Sequence, residues 1–331
     1  MNQEWTDFLA SRPAAGMSAD EMNCVLNDLT HYGLIRVSGS DAETFLQGQL
    51  TNDVRLVTEA HSNLAGWCNA KGRMIANFRC FKRDGDYYLQ TPLEHVELVL
   101  KRLGMYVLRA QVSLSDASDE LIRIGLSGAC SEVLLGTACE SLPEATNGVQ
   151  HSGALTLIRL PGSGPRFEIV GPLDDVRALW QKSEGEARVA SQDAWALQEI
   201  RAGVPTVFEQ TREAFVPQMM NMQLVDGVSF TKGCYTGQEV VARMQYLGTL
   251  KRRMYLAHVE SANLPKPGDE LYARESTSGQ GAGKVVDARS SGDGCDLLAV
   301  IEVASAESGD VLLGDSGPAL QIQSLPYAFP E

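Results

Sequence analysis

Residues 229–243 read SFTKGCYTGQEVVAR, a turn that leads into a helix and the stretch that decides the fold of this chain. Thr236 is followed three residues later by Glu239. This is a capping-box pattern, in which the hydroxyl and the carboxylate each satisfy a backbone N–H at the start of a helix. We therefore expect a helix that begins just after Thr236. Gly233 and Gly237 allow the backbone of the turn to bend closely around a neighbouring group.

Cys234 has the most distinctive chemistry of this segment. It lies immediately before the predicted helix and two residues after Lys232, and both a helix N-terminus and a nearby cation favour a thiolate over a thiol. An alternative is a well-capped helix in which small residues only allow tight packing, although such a turn does not require Lys, Cys, Tyr, Gln and Glu together. The candidate catalytic residues are Cys234 as a reactive thiol, together with Lys232, Tyr235, Gln238 and Glu239.

The size and charge of the chain limit the classes of function. Its 331 residues, of which 44% are hydrophobic, can bury the cores of two or three domains. The formal net charge is −14, whereas a protein that grips many phosphates carries a basic surface. We therefore expect no extensive direct nucleic-acid binding. The basic cluster at residues 251–253, KRR, is either a site for an anionic tail or a solvated strand edge.

Cysteine usage and hydropathy indicate a protein of the cytoplasm. The seven cysteines include no C-x-x-C pair and no neighbouring histidine cluster, so the sequence predicts neither a disulfide framework nor a metal site. The longest apolar runs fall short of the ~20 residues of a membrane-spanning helix, and the first residues lack the features of a signal peptide. We expect reduced thiols, no membrane partner and a cytoplasmic location.

Strand and helix patterns predict an α+β protein with a β-rich end. The pattern of strand, helix, hairpin and helix occurs twice, which predicts two lobes at about residues 25–115 and 116–210 within a region that spans 1–245. The predicted elements include strands at residues 32–37 and 121–126, a hairpin turn at Asp84-Gly85-Asp86 and a helix at residues 193–201. After Arg243 the chain changes to short β-runs separated by Gly, Ser, Pro and Asp, which predicts a small β-barrel at 246–331.

Five short motifs resemble those of the YgfZ family, which is similar in fold to the glycine-cleavage T-protein, an aminomethyltransferase. The five motifs are KGCYTGQE at residues 232–239, FLQGQLTNDV at 45–54, CNAKGRM at 68–74, AGVP at 202–205 and FVPQ at 215–218. The resemblance covers nearly the whole chain. It implies an α+β, aminomethyltransferase-like folate-binding fold, with three domains around a central hole that holds tetrahydrofolate and a C-terminal β-barrel.

The resemblance also implies a set of folate-binding residues. Trp195 stands at the position of a folate-contacting residue, Tyr32 stands where the family often has an aromatic contact, and Glu168 falls where the T-protein has a glutamate that binds the pterin. Each has a structural alternative: Trp195 as core, Tyr32 as cover for a strand end, and Glu168 on the solvent side of a strand. Asn77 and Arg243 complete the candidate cofactor-binding residues.

The chain departs from the T-protein at one pair of positions. In the T-protein the corresponding hairpin ends in two aspartates, one of which positions the folate nitrogen that takes up the one-carbon unit, whereas this chain has Ala76 and Asn77. A neutral amide forms hydrogen bonds but supplies no negative charge for a cationic nitrogen. We therefore predict no glycine-cleavage activity and no classical enzymatic turnover.

The resemblance implies a tetrahydrofolate-binding accessory protein that maintains iron–sulfur enzymes through the surface around Cys234. Radical enzymes that thiolate tRNA would be among its partners, so that the link to tRNA is indirect. The first alternative is a folate-dependent one-carbon transferase acting on an unidentified donor, which the fold favours and Ala76 and Asn77 oppose. The second is a scaffold that shares a cluster or metal with a partner through Cys234, because one cysteine supplies too few ligands by itself.

Overall fold

The computed structural model describes residues 2–12, 14, 24–274 and 281–329. The chain divides into two units: unit 1 is Met1–Leu46, Val54–Asn63 and Phe78–Trp195, and unit 2 is Gln47–Asp53, Leu64–Asn77 and Ala196–Glu331. Each unit therefore combines segments that are far apart in sequence. The domain boundaries expected from the sequence, 1–245 and 246–331, stay predictions.

Helices and strands alternate along the described residues. The α-helices are α1 Gln3–Ala10, α2 Ala42–Gln47, α3 Val96–Gly104, α4 Ser131–Ala138, α5 Leu173–Ser183, α6 Gln192–Arg201, α7 Gln238–Tyr246 and α8 Val303–Ser308. The strands are β1 Cys24–Asp28, β2 Tyr32–Ser38, β3 Asn63–Cys68, β4 Met74–Arg83, β5 Asp86–Pro92, β6 Ser113–Asp116, β7 Ile122–Gly128, β8 Val149–Ser152, β9 Leu155–Arg159, β10 Arg166–Gly171, β11 Arg188–Ala190, β12 Arg252–Val259, β13 Glu270–Tyr272, β14 Gly283–Ser291, β15 Gly294–Glu302, β16 Leu312–Leu313 and β17 Gln321–Gln323. Short 3-10 turns lie at Val54–Leu56, Leu93–His95, Glu209–Thr211, Pro217–Met220 and Met222–Leu224. Among the described residues, none of the helices combines the length and the apolar character needed to cross a membrane.

One six-stranded sheet lies in unit 1, with the strand order β11-β1-β7-β10-β9-β8. β1 and β11 are parallel, and the other neighbours are antiparallel. α4 and α5 pack on this sheet. The core includes the Trp5 and Trp180 rings, which meet edge to face with centroids 5.4 Å apart. The Trp5 indole N–H donates to Asp28 at 2.9 Å, which satisfies the polar group of a buried tryptophan.

A five-stranded sheet has the order β3-β4-β5-β2-β6. In its β4–β5 hairpin Arg83 is opposite Asp86, so that only Asp84 and Gly85 form the loop. Both loop residues have positive φ angles, 54° and 84°, which is the conformation of a two-residue type I′ turn. The hairpin predicted from this Asp-Gly pair is confirmed.

A second six-stranded sheet lies in unit 2, with the order β16-β13-β14-β15-β12-β17. A bulge between Val285 and Asp287 interrupts the β14–β15 register, and such a bulge bends the strand that carries it. The sheet is curled into a half-barrel. The β-structure predicted for the C-terminal part of the chain is therefore confirmed in this form.

Cys24 and Cys130 form a disulfide in unit 1, with Cα atoms 5.4 Å apart. Cys24 begins β1 and lies opposite Gly128 of β7, and Cys130 is the N-cap residue of α4. The strand pairing therefore brings the two cysteines together although they are 106 residues apart in sequence. The expectation of reduced thiols is wrong for this pair, because such a distant pairing leaves no local signal in the sequence.

Candidate functional site

We call residues 229–243 the signature segment, and its part before the helix, residues 229–237, the signature loop. Helix α7 of this segment begins at Gln238, and its N-cap residue is Gly237 in the left-handed conformation, with a φ of 84°. Among the described residues, no side chain caps this end, so the capping box predicted for Thr236 and Glu239 is wrong. The cause is the turn before the helix, where the Gln238 N–H donates to the Tyr235 carbonyl at 3.1 Å. The chain then enters the helix through a conformation that suits glycine, which moves Thr236 out of the N-cap position.

Two glycines bring the start of α7 against the hairpin turn of another motif. A Cβ atom on Gly237 would lie 2.5 Å from the Asn69 carbonyl oxygen and 2.9 Å from the Gly72 Cα. A Cβ atom on Gly72 would lie 2.9 Å from the Val240 Cβ. Real Cβ contacts are longer than this, so the two backbones approach each other at a distance that only glycine permits.

Lys232 is buried, with 6% of its surface exposed. Its ammonium donates to three main-chain carbonyl oxygens: Gln47 at 2.7 Å, Leu50 at 2.5 Å and Asn52 at 3.0 Å. We call these three oxygens the carbonyl cage. The ammonium also lies 5.0 Å from the ring centre of Tyr235, a distance at which a cation is attracted to an aromatic face. Tyr235 is itself buried, and burial raises the pKa of its hydroxyl.

The segment that carries the cage, residues 47–53, is tied to the chain just before the signature. The buried Thr51 hydroxyl donates to the Gly227 carbonyl at 2.7 Å and accepts the Gly66 N–H at 2.7 Å. The Ser229 N–H donates to the Thr51 carbonyl at 3.0 Å. Side-chain and main-chain hydrogen bonds therefore fix this segment from both sides.

Four of the motifs and residues 47–53 of the fifth meet in unit 2. The Met74 N–H donates to the Phe215 carbonyl at 2.8 Å, and the Gln218 side chain donates to the Val241 carbonyl of α7 at 2.6 Å. One hydrophobic core contains residues from four of the motifs or their direct continuation: Cys68, Met74, Ala202, Val204, Phe215 and Val241. The fifth motif joins them through the carbonyl cage.

Cys234 is exposed, and it is the single exposed member of the five cysteines in the described residues that lie outside the disulfide. Cys68, in contrast, is buried, and burial raises its pKa to about 12. A thiol at Cys68 is therefore kept neutral, whereas the sulfur of Cys234 is open to reagents. Within the described part of the chain, no group of three or more His, Cys, Asp or Glu side chains is placed to hold a metal ion.

Asn77 is buried and bonded to the main chain at the end of the AGVP motif, residues 202–205, and just after it. Its Nδ2 donates to the Pro205 carbonyl at 2.8 Å, and its Oδ1 accepts the Val207 N–H at 2.8 Å. The structure thus gives this amide partners at both ends. The remaining predicted residues of unit 2 differ in exposure: Gln238 is half-buried, and Glu239 and Arg243 are exposed.

Glu168 lies in unit 1 and is 1% exposed, so the alternative that placed it on a solvent face is wrong. The Gln90 side chain donates to its Oε2 at 3.1 Å. Arg123 is also buried. Burial lowers the pKa of its guanidinium to about 10, and the negative charge of Glu168 opposes that change. The carboxylate is inside because other groups cover the face of the sheet that carries it, among them the Gln90 side chain.

Trp195 and Glu168 are neighbours of the same residue, Gly125. Gly125 is directly opposite Glu168 in the β7–β10 pair, and opposite residues project to the same face of a sheet. A Cβ atom on Gly125 would lie 2.3 Å from the Trp195 ring, so the indole fills the space beside Glu168. The Arg166 guanidinium lies 4.1 Å from the centre of this ring, and the half-buried Tyr32 packs against the same core.

Sequence reasoning missed Gln90, Arg123 and Gly125. Gly125 carried a signal, because an isolated glycine inside the strand-like run at residues 121–126 indicates a close approach of another group. Gln90 carried none, since its pairing with Glu168 depends on how two sheets are placed.

Known proteins resemble this chain over most of its length. Residues 12–156 match the family model described as the GCVT N-terminal domain. A relative named tRNA-modifying protein YgfZ, from Klebsiella pneumoniae (strain 342), is 31% identical over 323 residues, which cover 97% of this chain and 98% of the relative. A relative of the same name from Shigella boydii serotype 4 (strain Sb227) is 32% identical over 329 residues, 99% of each chain.

The fold has a solved counterpart. The crystal structure of glycine cleavage system aminomethyltransferase T from Bartonella henselae matches with a TM-score of 0.70 and 18% identity, covering 92% of this chain and 86% of that one. The chain therefore has the aminomethyltransferase fold that the five motifs predicted.

Proposed function

This chain belongs to the YgfZ family, and on that premise we propose that it binds a folate and helps to maintain iron–sulfur enzymes through the thiol of Cys234. Its role in tRNA modification, for which its relatives are named, is then indirect. The observation that carries the proposal is the exposed Cys234 on a loop held by the buried Lys232 and by the facing glycines Gly72 and Gly237. A fixed, accessible thiol can present a nucleophile or a redox group to another protein.

The residues around Glu168 support folate as the ligand. The edge of a pterin carries hydrogen-bond donors and acceptors, and its faces pack on aromatic walls. Glu168 offers a carboxylate, Gln90 beside it offers an amide, and Trp195 and Tyr32 offer aromatic rings. This donor set fits a pterin, and Glu168, Trp195 and Tyr32 would hold it. When bound, tetrahydrofolate would supply nitrogen atoms that can carry a one-carbon unit.

Asn77 supports a role other than aminomethyl transfer. Its amide is bonded to the main chain at Pro205 and Val207, and an amide brings no negative charge to a cationic nitrogen. With Ala76 beside it, this position stabilises the fold of unit 2 and lacks the carboxylate that the transfer requires.

The charge of the chain supports an indirect link to tRNA. With a net charge of −14, the surface as a whole repels a polyanion, and binding of RNA gains its main free energy from neutralised phosphates. Protein partners, in this case enzymes that carry iron–sulfur clusters and thiolate tRNA, do not require such a surface.

The thiol is tested with Cys234→Ser in a strain that lacks the gene for this protein. We expect the variant to fold but to leave both tRNA thiomodification and iron–sulfur enzyme activity near the level of the deletion strain. Gly233→Ala is the matched control, because Gly233 is exposed and a Cβ there meets no atom of the described residues within 4 Å. Full restoration by Cys234→Ser would remove the thiol from the proposal.

The folate is tested by calorimetric titration of the purified protein with 5-formyltetrahydrofolate. We expect Glu168→Gln to weaken binding by about ten-fold or more, because hydrogen bonds to a charged group contribute roughly 1.5–3 kcal/mol each. The exposed Glu144→Gln is the control and should bind like the unmodified protein. An unmodified protein that does not bind, or a Glu168→Gln variant with unchanged affinity, would contradict the assignment.

A further inference from the structure

The carbonyl cage around Lys232 has the composition of a cation site. A lysine ammonium has three N–H donors and no acceptor, and the carbonyl oxygens of Gln47, Leu50 and Asn52 can take all three. Gln47 is the last residue of α2, whose C-terminal carbonyls carry a partial negative charge. Three converging main-chain oxygens form a site that favours a cation with N–H donors.

We infer that Lys232 is a positioning residue, whose ammonium serves as the built-in cation of the carbonyl cage and thereby holds the loop that carries Cys234. The ammonium connects residue 232 to residues 47–52, so that the signature loop is attached at Lys232 as well as at Gly237. The inference rests on the proposed role of Cys234, but its test does not use that role.

Burial supports positioning over proton transfer. The ammonium is enclosed with its N–H donors directed at main-chain oxygens, and a carbonyl oxygen does not take a proton from an ammonium. A lysine that passed protons to Cys234 would need its N–H groups directed at the sulfur or at a substrate.

The carbonyl cage predicts that loss of the Lys232 cation loosens residues 47–53. Lys232→Met keeps the length of the side chain but removes the cation, so the carbonyls of residues 47–52 lose their donors and the segment opens more often. Amide hydrogen exchange at residues 47–53 should become about ten-fold faster or more. The exposed Lys251→Met is the matched control and should leave this exchange unchanged.

The decisive experiment uses Lys232→Ala with and without ethylammonium chloride. A primary ammonium ion can donate to the vacated carbonyls, whereas tetramethylammonium chloride has the same charge and no N–H. We expect ethylammonium to slow exchange at residues 47–53 and to bring the alkylation rate of Cys234 by iodoacetamide back towards that of the unmodified protein, with no such change in tetramethylammonium.

With variants that fold in plain buffer, two results would overturn the inference. In the first, Lys232→Met leaves exchange at residues 47–53 unchanged and only displaces the pH midpoint of Cys234 alkylation, which would show that Lys232 acts on the thiol by its charge. In the second, ethylammonium and tetramethylammonium have equal effects on Lys232→Ala. If Lys232→Ala is unfolded in plain buffer, refolding in ethylammonium alone supports the cage, and refolding in both salts or in neither rejects it. All of these readouts are independent of tRNA and folate, so failure of the proposed function would be seen separately.

Discussion

The signature loop of unit 2 and the group around Glu168 in unit 1, which includes Gln90 and Arg123, both bury a charge, but they stabilise it with different partners. Lys232 is bonded to main-chain carbonyls at residues 47–52, whereas Glu168 is bonded to the Gln90 side chain and lies in the field of Arg123. Main-chain partners persist whatever side chains stand at those positions. A charge held by side chains depends on the identity of each partner, so the two sites should respond differently to substitution.

The largest effect is expected where the signature loop meets the hairpin. Gly237→Ala forces a left-handed φ of 84° on an alanine and places its Cβ 2.5 Å from the Asn69 oxygen. Together these should lower the free energy of unfolding by about 3 kcal/mol, measured by urea denaturation. In Gly233→Ala, from the same motif, the new Cβ has no neighbour within 4 Å in the part of the chain that the structure describes, so this change should be nearly neutral.

Residue-resolved hydrogen exchange would show whether this loss is local. We expect faster exchange at residues 68–74 and 232–243, with the strands around Glu168 retaining their protection. An equal loss of unfolding free energy in Gly237→Ala and Gly233→Ala would mean that the close approach of Gly237 to Gly72 does not hold the loop.

A smaller effect is expected at a buried carboxylate of unit 2 that, like Glu168, has side-chain partners. Asp296 accepts from His258 at 2.8 Å and from the Arg201 Nε at 2.9 Å. Burial alone raises the pKa of Asp296, but these hydrogen bonds and the charge of Arg201 outweigh it and hold the pKa below the ordinary value of 3.8. Asp296→Asn should therefore destabilise the protein by about 2 kcal/mol near neutral pH.

The sign of the pH dependence follows from that lowered pKa. A carboxylate with a lowered folded pKa contributes stability above its unfolded value, and the contribution is lost as the pH falls through the folded value. The difference in the free energy of unfolding between the unmodified protein and Asp296→Asn should therefore be fully present near neutral pH and should become smaller below pH 3.8. A gap that stays constant on acidification would show that the charge of Asp296 is unimportant.

The smallest effect is expected at Thr236. A threonine N-cap contributes about 1 kcal/mol, but the N-cap here is Gly237 and no side chain caps α7 in the described structure. Thr236→Ala should therefore change the free energy of unfolding by less than about 0.5 kcal/mol. A loss near 1 kcal/mol in thermal denaturation would restore the capping box that the sequence predicted.

Local patterns predicted much of the fold. The strand at residues 32–37, the Asp84-Gly85 hairpin and the helix at residues 193–201 depend on neighbours in sequence, and all three are present with small shifts at their ends. The error at Thr236 is also local: the capping-box pattern ignores the left-handed backbone that glycine allows at the next position.

The sequence supplied candidate residues for the site but not their contacts. The five motifs identified Lys232 and Cys234, yet the acceptors of Lys232 are main-chain oxygens, which no sequence letter reveals. Glu168 was expected on either a ligand or a solvent face, and only the packing of other groups on that face of the sheet, among them Gln90, shows that it is buried. The assignment of folate-binding roles to Tyr32, Glu168, Trp195, Asn77 and Arg243 stays a prediction.

The Cys24–Cys130 disulfide closes the intervening chain into a covalent ring. Both the carbonyl-cage segment at residues 47–53 and the glycine hairpin at residues 69–72 are part of that ring. A single proteolytic scission anywhere inside it would leave two fragments linked through sulfur, so that the nicked protein would still migrate as one species until a reductant was added. Oxidised molecules therefore tolerate backbone cleavage in this region without losing the pieces that surround Lys232.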